Sequence, residues 1–115
     1  MRVVIGGASS GCGKTTVTLC VMSALRMRGL SVAPFKVGPD YIDTGFHAAA
    51  CARPSHNLDG HLMGAAASRS VLARGEAAAD VAVIEGVMGY YDGVGAVSLR
   101  CSTYDMARST LSPAL

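Results

Sequence analysis

The chain has 115 residues, of which half are apolar and 16% are charged, and its formal net charge is +2. These values predict one small globular unit and exclude an intrinsically disordered chain. Two kinds of partner are also excluded. The basic residues form no cluster that would bind nucleic acid, and no apolar run approaches the roughly 18 residues that a membrane-spanning helix needs.

The first predicted element is a short buried strand, Val3–Ile5, which is wholly apolar and ends at two glycines. Beyond Lys14 the apolar residues follow the spacing of a helix that ends at Gly29. The predicted buried face of this helix contains Val17, Cys20, Val21, Ala24 and Leu25. A strand, a glycine-rich turn and a helix in this order are typical of a protein that binds a nucleotide.

A second strand is predicted over Ser31–Lys36. Residues 38–60 contain several glycines and prolines, which indicate a long functional loop. We predict one short helix inside this loop, over Phe46–Cys51. The loop is therefore expected to contribute to a binding site and not to the sheet.

The next predicted helix covers His61–Arg74, and Gly75 is expected to end it. Either Asn57 or Asp59 is expected to cap its first turn, because both side chains accept hydrogen bonds from backbone N–H groups. A polar residue, Asp80, then leads into the last strong strand signal of the chain.

That third strand is predicted over Val81–Ile84 and ends at Glu85. A glycine-rich loop, Gly86–Gly95, follows it, and a helix is predicted over Thr103–Ser109. The segment Ser112–Leu115 has the character of an approach to a fourth strand, which we expect to be missing. The predicted fold is therefore a truncated α/β P-loop nucleotide-binding fold, in which helices flank a parallel sheet.

A phosphate-binding loop occupies residues 7–16, with the sequence GASSGCGKTT. It departs from the GxxxxGK[ST] pattern at Ala8, where that pattern has its first glycine. Glycines allow backbone N–H groups to surround phosphate oxygens. Lys14 is expected to reach the β- and γ-phosphates of ATP, and the Thr15 hydroxyl to bind Mg²⁺. The predicted nucleotide-binding residues are Gly7, Ser10, Gly11, Cys12, Gly13, Lys14, Thr15 and Thr16.

Charged residues follow the predicted strands at the edge where open α/β sheets bind their ligands. Carboxylates at such an edge hold the metal that accompanies a nucleotide, or position the reacting groups. The candidate catalytic residues are Lys36, Asp40, Asp43, Glu85 and Asp92, and the candidate metal ligands are Thr15, Asp43 and Glu85.

Some of these residues have a competing interpretation. Asp40 and Asp43 are also well placed to cap turns or helices, without a role in chemistry. The three histidines, His47, His56 and His61, share no spacing pattern. We expect each of them to lie on the surface or to take part in packing.

The chain resembles the cobyrinic acid a,c-diamide synthase family. The resemblance rests on four segments: Gly7–Thr16, Phe35–Asp43, Arg53–Asp59 and Glu85–Gly93. It covers nearly the whole chain, and the second and fourth segments are more specific than the phosphate-binding loop. The sequence departs from the family pattern at three cysteines: Cys12, Cys20 and Cys101. None of these departures removes a predicted site residue.

This resemblance implies an ATP- and Mg²⁺-dependent ligase of cobalamin biosynthesis. Members of the family amidate the a and c side-chain carboxylates of a corrinoid tetrapyrrole through an acyl phosphate, with glutamine as amide donor. A C-terminal glutaminase domain supplies the ammonia. We therefore expect residues 1–115 to be the N-terminal part of the amidoligase domain, inactive alone, and a homodimer is compatible with this interpretation.

Three alternative functions remain open. A nickel-sirohydrochlorin a,c-diamide synthase shares the same motifs, so the macrocycle is not decided. Dethiobiotin synthetase usually has proline after its second-strand lysine, whereas Val37 follows Lys36 here. A partitioning ATPase carries a signature lysine five residues before the main lysine of the loop, and Ser9 occupies that position.

The four cysteines indicate the cellular compartment. They form no C-x-x-C pair and, with the histidines, no zinc-binding spacing. Unpaired cysteines of this kind are typical of reduced thiols. The N-terminus carries no pattern of a secretory signal, so we expect a cytoplasmic protein.

Overall fold

A computed structural model describes all residues, 1–115, as four strands that alternate with four helices. In chain order these elements are β1 (Arg2–Ile5), α1 (Lys14–Met27), β2 (Val32–Val37), α2 (Asp43–Cys51), β3 (His56–Leu58), α3 (Gly64–Glu76), β4 (Val81–Glu85) and α4 (Thr103–Ser109). A helix between successive strands is the connection that parallel pairing requires. None of the four helices has both the length and the apolar character that crossing a membrane requires.

The four strands form one parallel sheet in the order β1-β4-β2-β3. Within it, Glu85 at the end of β4 lies beside Ile5 of β1 on one side and Lys36 of β2 on the other. The carboxyl ends of three strands therefore meet at one point of the sheet edge. This arrangement confirms the predicted α/β P-loop fold.

Buried apolar residues form two clusters on the two faces of the sheet, since neighbouring residues of a strand point to opposite faces. Phe35 and Ile84 belong to the cluster that packs against α3 and α4. Val32 and Val83 belong to the cluster that packs against α1 and α2. Helices therefore cover both faces, and only the sheet edges remain for ligand binding.

The rotation of α1 about its axis differs from the prediction. Its buried residues are Lys14, Thr18 and Met22. Of the predicted buried face, Val17, Cys20 and Ala24 are exposed, while Val21 and Leu25 are partly buried. The three buried residues are four positions apart and share one face of the helix. Because the first of them is the lysine of the phosphate-binding loop, the loop rather than the apolar pattern sets the rotation.

The segment 38–60 contains more regular structure than predicted. Helix α2 begins at Asp43 and not at Phe46, and β3 (His56–Leu58) follows it. This strand has only three residues, too few to produce a recognisable alternation of apolar and polar positions. Its pairing with Phe35–Val37 of β2 makes it a strand, so tertiary structure decides its conformation.

Helix α3 begins and ends later than predicted. Asp59 accepts hydrogen bonds from the backbone N–H groups of His61 and Leu62, which hold residues 60–63 in a turn, and the helix begins at Gly64. Gly75 lies inside the helix and does not end it. A Cβ atom at Gly75 would lie 2.6 Å from Cζ of Phe35, so glycine is needed here for close packing of the helix on the sheet.

The segment Ser112–Leu115 already runs parallel to β1. The Val4 N–H donates to Pro113 O, and the Leu115 N–H donates to Val4 O, at 2.8 Å each. The expectation that this strand is missing therefore needs correction, because residues 113–115 pair with β1 on the side away from β4.

Candidate functional site

The loop between β1 and α1 depends on glycine conformations. Gly11 and Gly13 have φ angles of +71° and +97°, a left-handed backbone that residues with a side chain rarely adopt. Gly13 directly precedes α1, and the N–H groups of the first turn of a helix have no acceptor within the helix. These N–H groups and the positive end of the helix dipole favour a bound anion such as phosphate.

Gly7 and Lys14 are in close contact at the start of this loop. A Cβ atom at Gly7 would lie 2.5 Å from Sγ of Cys12 and 2.7 Å from Cγ of Lys14, so only glycine leaves room for the lysine stem. Lys14 Nζ donates a hydrogen bond to Ser9 O at 3.1 Å. The ammonium group therefore lies across the loop, where a phosphate group would meet it.

A cavity of about 390 Å³ opens between this loop and the ends of β2 and β4. It is lined by ten residues of the predicted site and two others: Ser10, Gly11, Gly13, Lys14, Thr15, Thr16, Lys36, Asp40, Asp43 and Glu85, with Val87 and Met88. The sequence prediction thus identified most of the lining. Gly7, Cys12 and Asp92 do not line this cavity.

Lys36 is the centre of a hydrogen-bonded network on the cavity floor. Its Nζ donates to Asp43 Oδ2 at 2.7 Å, to Glu85 Oε1 at 3.1 Å and to Gly86 O at 3.0 Å, which uses all three of its hydrogens. Burial disfavours the charged lysine, but the hydrogen bond to Asp43 and the charge of Glu85 outweigh it, and the pKa of Lys36 is raised. The lysine therefore stays charged beside two carboxylates.

Glu85 is fully buried, and its contacts favour the ionised carboxylate. Burial alone would raise the pKa of its carboxyl group, but hydrogen bonds from His47 and Thr15, with the charge of Lys36, lower this pKa to about 2. Its Oε1 accepts from the Thr15 hydroxyl at 2.7 Å. A buried carboxylate with donors on both oxygens is a rigid acceptor that orients the Thr15 hydroxyl.

The oxygen atoms of the site suit a magnesium ion that is bound mainly by phosphate. The chain contains no cluster of three or more His, Cys, Asp and Glu side chains that would hold a metal by itself. Magnesium beside a nucleotide usually has water and phosphate oxygens as ligands, with one or two oxygens from the protein. Thr15 Oγ1 lies 2.7 Å from Glu85 Oε1 and 3.4 Å from Asp43 Oδ1, which is a donor set of this kind.

Asp40 has the capping contacts that the competing interpretation proposed for it. Its Oδ1 accepts hydrogen bonds from the N–H groups of Ile42 and Asp43, at 2.9 and 2.8 Å. Its own N–H donates to Asn57 Oδ1 at 3.3 Å, so Asn57 does not cap α3. Asp40 thus shapes the start of α2 and also lines the cavity. Asp43 differs, because its carboxylate binds Lys36 and not a turn.

Asp92 lies in a second cavity, of about 650 Å³, which shares no lining residue with the first. Its Oδ2 accepts from the Gly89 N–H at 2.8 Å and closes a tight turn. Tyr90 and Tyr91 line the same cavity, and their rings stack edge to face at a centroid distance of 4.9 Å. The structure therefore does not bring Asp92 together with the other four candidate catalytic residues.

The loop after β4 packs directly on the phosphate-binding loop. The Tyr90 N–H donates to Gly7 O at 2.7 Å. A Cβ atom at Gly89 would lie 2.9 Å from Ala8 O, so glycine permits this close approach. These contacts place Gly7 beside the Asp92 loop, and both line the second cavity.

The sequence interpretation missed the position of His47. This residue is fully buried in α2, and its Nε2 forms a hydrogen bond with Glu85 Oε2; the surface option for it is therefore wrong. The spacing contained a signal, because Asp43 and His47 are four residues apart and share one face of a helix. His56 and His61 are exposed, as expected.

Residues 3–107 match the family described as the CobQ/CobB/MinD/ParA nucleotide-binding domain. Three curated relatives illustrate the similarity. A cobyrinate a,c-diamide synthase of Salmonella typhimurium is 47% identical over 97% of this chain and 24% of its own length. A hydrogenobyrinate a,c-diamide synthase of Streptomyces coelicolor is 47% identical over 97% and 23%. A cobyrinate a,c-diamide synthase of Listeria monocytogenes is 49% identical over 99% and 25%.

The chain thus spans about a quarter of the length of the curated relatives that it matches. The matched quarter includes the phosphate-binding loop, the Lys36 network and the loop after β4, because the alignments cover nearly the whole chain.

Proposed function

Because the chain belongs to the CobQ/CobB/MinD/ParA nucleotide-binding domain family, we propose that it forms the ATP-binding part of a ligase that amidates the a and c side-chain carboxylates of cobyrinate. One observation carries this proposal: Thr15, Lys36, Asp43 and Glu85 form a single hydrogen-bonded network on the floor of the cavity beside the phosphate-binding loop. The names of the similar relatives support the choice of substrate.

The chemistry requires that a carboxylate be activated before ammonia attacks it. Transfer of the γ-phosphoryl group of ATP to the carboxylate oxygen forms an acyl phosphate and releases ADP. Ammonia then attacks the carbonyl carbon, the amide forms and phosphate leaves. The Lys14 ammonium and the N–H groups of the loop stabilise the negative charge of the transferring phosphoryl group. Magnesium, when bound with the nucleotide, neutralises part of the phosphate charge.

The Lys36 network has a further function in this reaction. A substrate carboxylate and the γ-phosphate are both anions and repel each other. Lys36 holds Asp43 and Glu85 together on the cavity floor. One cation between two carboxylates leaves a net negative charge there, which favours the Mg²⁺ that would offset this repulsion. We assign Thr15 to the magnesium ion, with Asp43 and Glu85 as metal ligands or as the acceptors that orient Thr15.

Glutamine is the proposed source of ammonia, released by a glutaminase domain of the same enzyme. Relatives named for cobyrinate and for hydrogenobyrinate are equally similar to this chain, at 47% identity. We choose cobyrinate and include hydrogenobyrinate in the test. Nickel-sirohydrochlorin, the third macrocycle with the same sequence motifs, is included as well.

The first prediction tests the nucleotide role of Lys14. In the complete gene product, supplied with ATP, Mg²⁺ and glutamine, Lys14→Ala should lower the rate of amide formation by at least about 100-fold, because it removes charge stabilisation from the transition state. Product is measured by mass after incubation with each macrocycle. His61→Gln, at an exposed position outside the cavity, serves as the control and should react at the wild-type rate.

Near-normal turnover in Lys14→Ala would contradict this assignment. If the protein amidates nickel-sirohydrochlorin and neither corrinoid, the ligase assignment is supported and the proposed substrate is wrong. Wild-type ATP hydrolysis without any amide product would instead favour a nucleotide switch.

A further inference from the structure

His47 is in contact with the ionised carboxylate of Glu85 although it does not line the nucleotide cavity. Its ring is fully buried. The Nε2 atom forms a hydrogen bond with Glu85 Oε2, and the Nδ1 atom lies 3.2 Å from Oγ of Ser55. The ring is therefore held at both nitrogens, and its orientation relative to Glu85 has little freedom.

The direction of these hydrogen bonds follows from the chemistry of the partners. An ionised carboxylate only accepts hydrogen bonds, so Nε2 of His47 must carry a hydrogen and donate a hydrogen bond to Glu85. In the neutral imidazole Nδ1 then has no proton and accepts from the Ser55 hydroxyl. Glu85 thus fixes the tautomer, and the Ser55 hydroxyl, which can donate or accept, meets the remaining nitrogen of the ring.

Removing the ring would leave one oxygen of a fully buried carboxylate without a donor. Glu85 Oε2 has no other hydrogen-bond partner, whereas Oε1 accepts from both Thr15 and Lys36. A buried charged oxygen without a partner is costly. The carboxylate would then rotate to share the remaining donors, and the Thr15 hydroxyl would lose its fixed acceptor.

We propose that His47 is a positioning residue for the magnesium ion of the nucleotide. It holds Glu85 so that Oε1 accepts the hydrogen bond from the Thr15 hydroxyl, which would leave the lone pairs of the Thr15 oxygen free to bind the metal. Ser55 completes the chain Ser55–His47–Glu85–Thr15. This inference rests on the proposed use of Mg²⁺ and ATP and is independent of which carboxylate is amidated.

The test compares the Mg²⁺ requirement for nucleotide binding in the complete gene product. His47→Leu keeps the apolar volume and removes the donor, and His47→Gln can present an amide N–H near the position of Nε2. Calorimetry with the non-hydrolysable analogue AMPPNP is carried out over a range of Mg²⁺ concentrations. It measures the Mg²⁺ concentration that gives half of the maximal increase in AMPPNP affinity. We expect this concentration to rise about 10- to 100-fold in His47→Leu, as when other residues that orient a metal ligand are removed. In His47→Gln, this Mg²⁺ concentration should return most of the way to the wild-type value.

Three comparisons distinguish positioning from a general loss of stability. Leu72→Val removes buried volume from the opposite face of the sheet and should leave the Mg²⁺ requirement unchanged. Ser55→Ala should raise this requirement by a smaller factor, and it provides the measurement if His47→Leu does not fold. AMPPNP binding without Mg²⁺ should be the same in all of the variants.

A wild-type Mg²⁺ requirement in His47→Leu, or in Ser55→Ala if His47→Leu does not fold, would overturn the proposal. An equal change in Leu72→Val would also overturn it, because the effect would then be one of stability. Mg²⁺-dependent binding in a wild-type protein that forms no amide would refute the amidation function and leave the role of His47 intact. A wild-type protein that binds AMPPNP without any Mg²⁺ effect would refute the role of His47.

Discussion

At the scale of single residues, the structure separates two aspartates that the sequence treats alike. Asp43 binds Lys36 on the cavity floor at 2.7 Å and approaches Thr15. Asp92 binds the Gly89 N–H in the loop after β4 and faces a different cavity. Both remain predicted catalytic residues, but they would act through different groups. Asp43 would act through the lysine, and Asp92 through the loop that contacts Gly7.

We predict that Asp43→Ala leaves ATP binding largely intact and lowers amidation by at least about 100-fold, because Lys36 loses one of its two carboxylate partners and the reacting anions lose their alignment. Product mass gives the rate and calorimetry gives the nucleotide affinity. Asp80→Ala, which removes an exposed carboxylate at the opposite end of β4, should match the wild type in both measurements.

Asp92→Ala is predicted to show the same loss of amidation with ATP binding retained. If it does so while Asp43→Ala is fully active, the reaction occurs beside the second cavity. If both variants amidate at the wild-type rate, the two aspartates only stabilise local structure, and the ligase assignment loses its main support at the level of residues.

At the scale of the elements, helix α3 shows that a glycine can be required for close packing inside a helix and not only for ending one. Gly75 lies within the helix over Phe35, whose ring is fully buried in β2. A Cβ atom there would lie 2.6 and 2.8 Å from two carbons of that ring. Gly75 is therefore required by the short distance between helix and sheet. Gly29, at the end of α1, is required for a different reason, because its backbone is left-handed.

Gly75→Ala should destabilise the protein by about 1–3 kcal/mol, the usual cost of forcing extra volume into a packed core. The free energy of unfolding is measured by urea denaturation. Gly45→Ala is the matched control, because Gly45 lies in helix α2, has no neighbour within 4 Å of a built Cβ atom and is exposed. It should stabilise the protein by up to about 1 kcal/mol. Equal effects of the two substitutions would show that α3 does not pack closely on Phe35.

At the scale of the whole molecule, the buried ion network connects the site to the stability of the fold. Glu85 lies between β1 and β2 in the sheet and binds groups from α1, α2 and β2. Its folded pKa of about 2 is below the ordinary value of 4.5. A depressed pKa means that the ionised carboxylate stabilises the folded state at any pH above 4.5.

This contribution should disappear as the pH falls from 4.5 to about 2, since the folded protein resists protonation and the unfolded chain does not. We predict that Glu85→Gln is less stable than the wild type near neutral pH, and that the difference in the free energy of unfolding shrinks over this acidic interval. Urea denaturation at several pH values measures it. A difference that stays constant from neutral pH down to pH 2 would exclude a depressed pKa at Glu85.

The sequence by itself determined the fold class, the phosphate-binding loop and ten of the lining residues of its cavity, because these depend on local order along the chain. A strand, glycines, a lysine and a helix must be adjacent to bind phosphate, so the loop is visible in residues 7–16. Polar residues after buried strands predict the site edge for the same reason, because all parallel strands end on the same side.

Only the tertiary structure decided which side chains meet. The strand order places Glu85 between Ile5 and Lys36, and no local pattern encodes that order. It also makes three residues, His56–Leu58, a strand through pairing with β2. The same packing buries His47 against Glu85, which lies 38 positions later in the chain. Contacts between residues so far apart depend on how the helices cover the sheet, and a single sequence without its fold does not contain them.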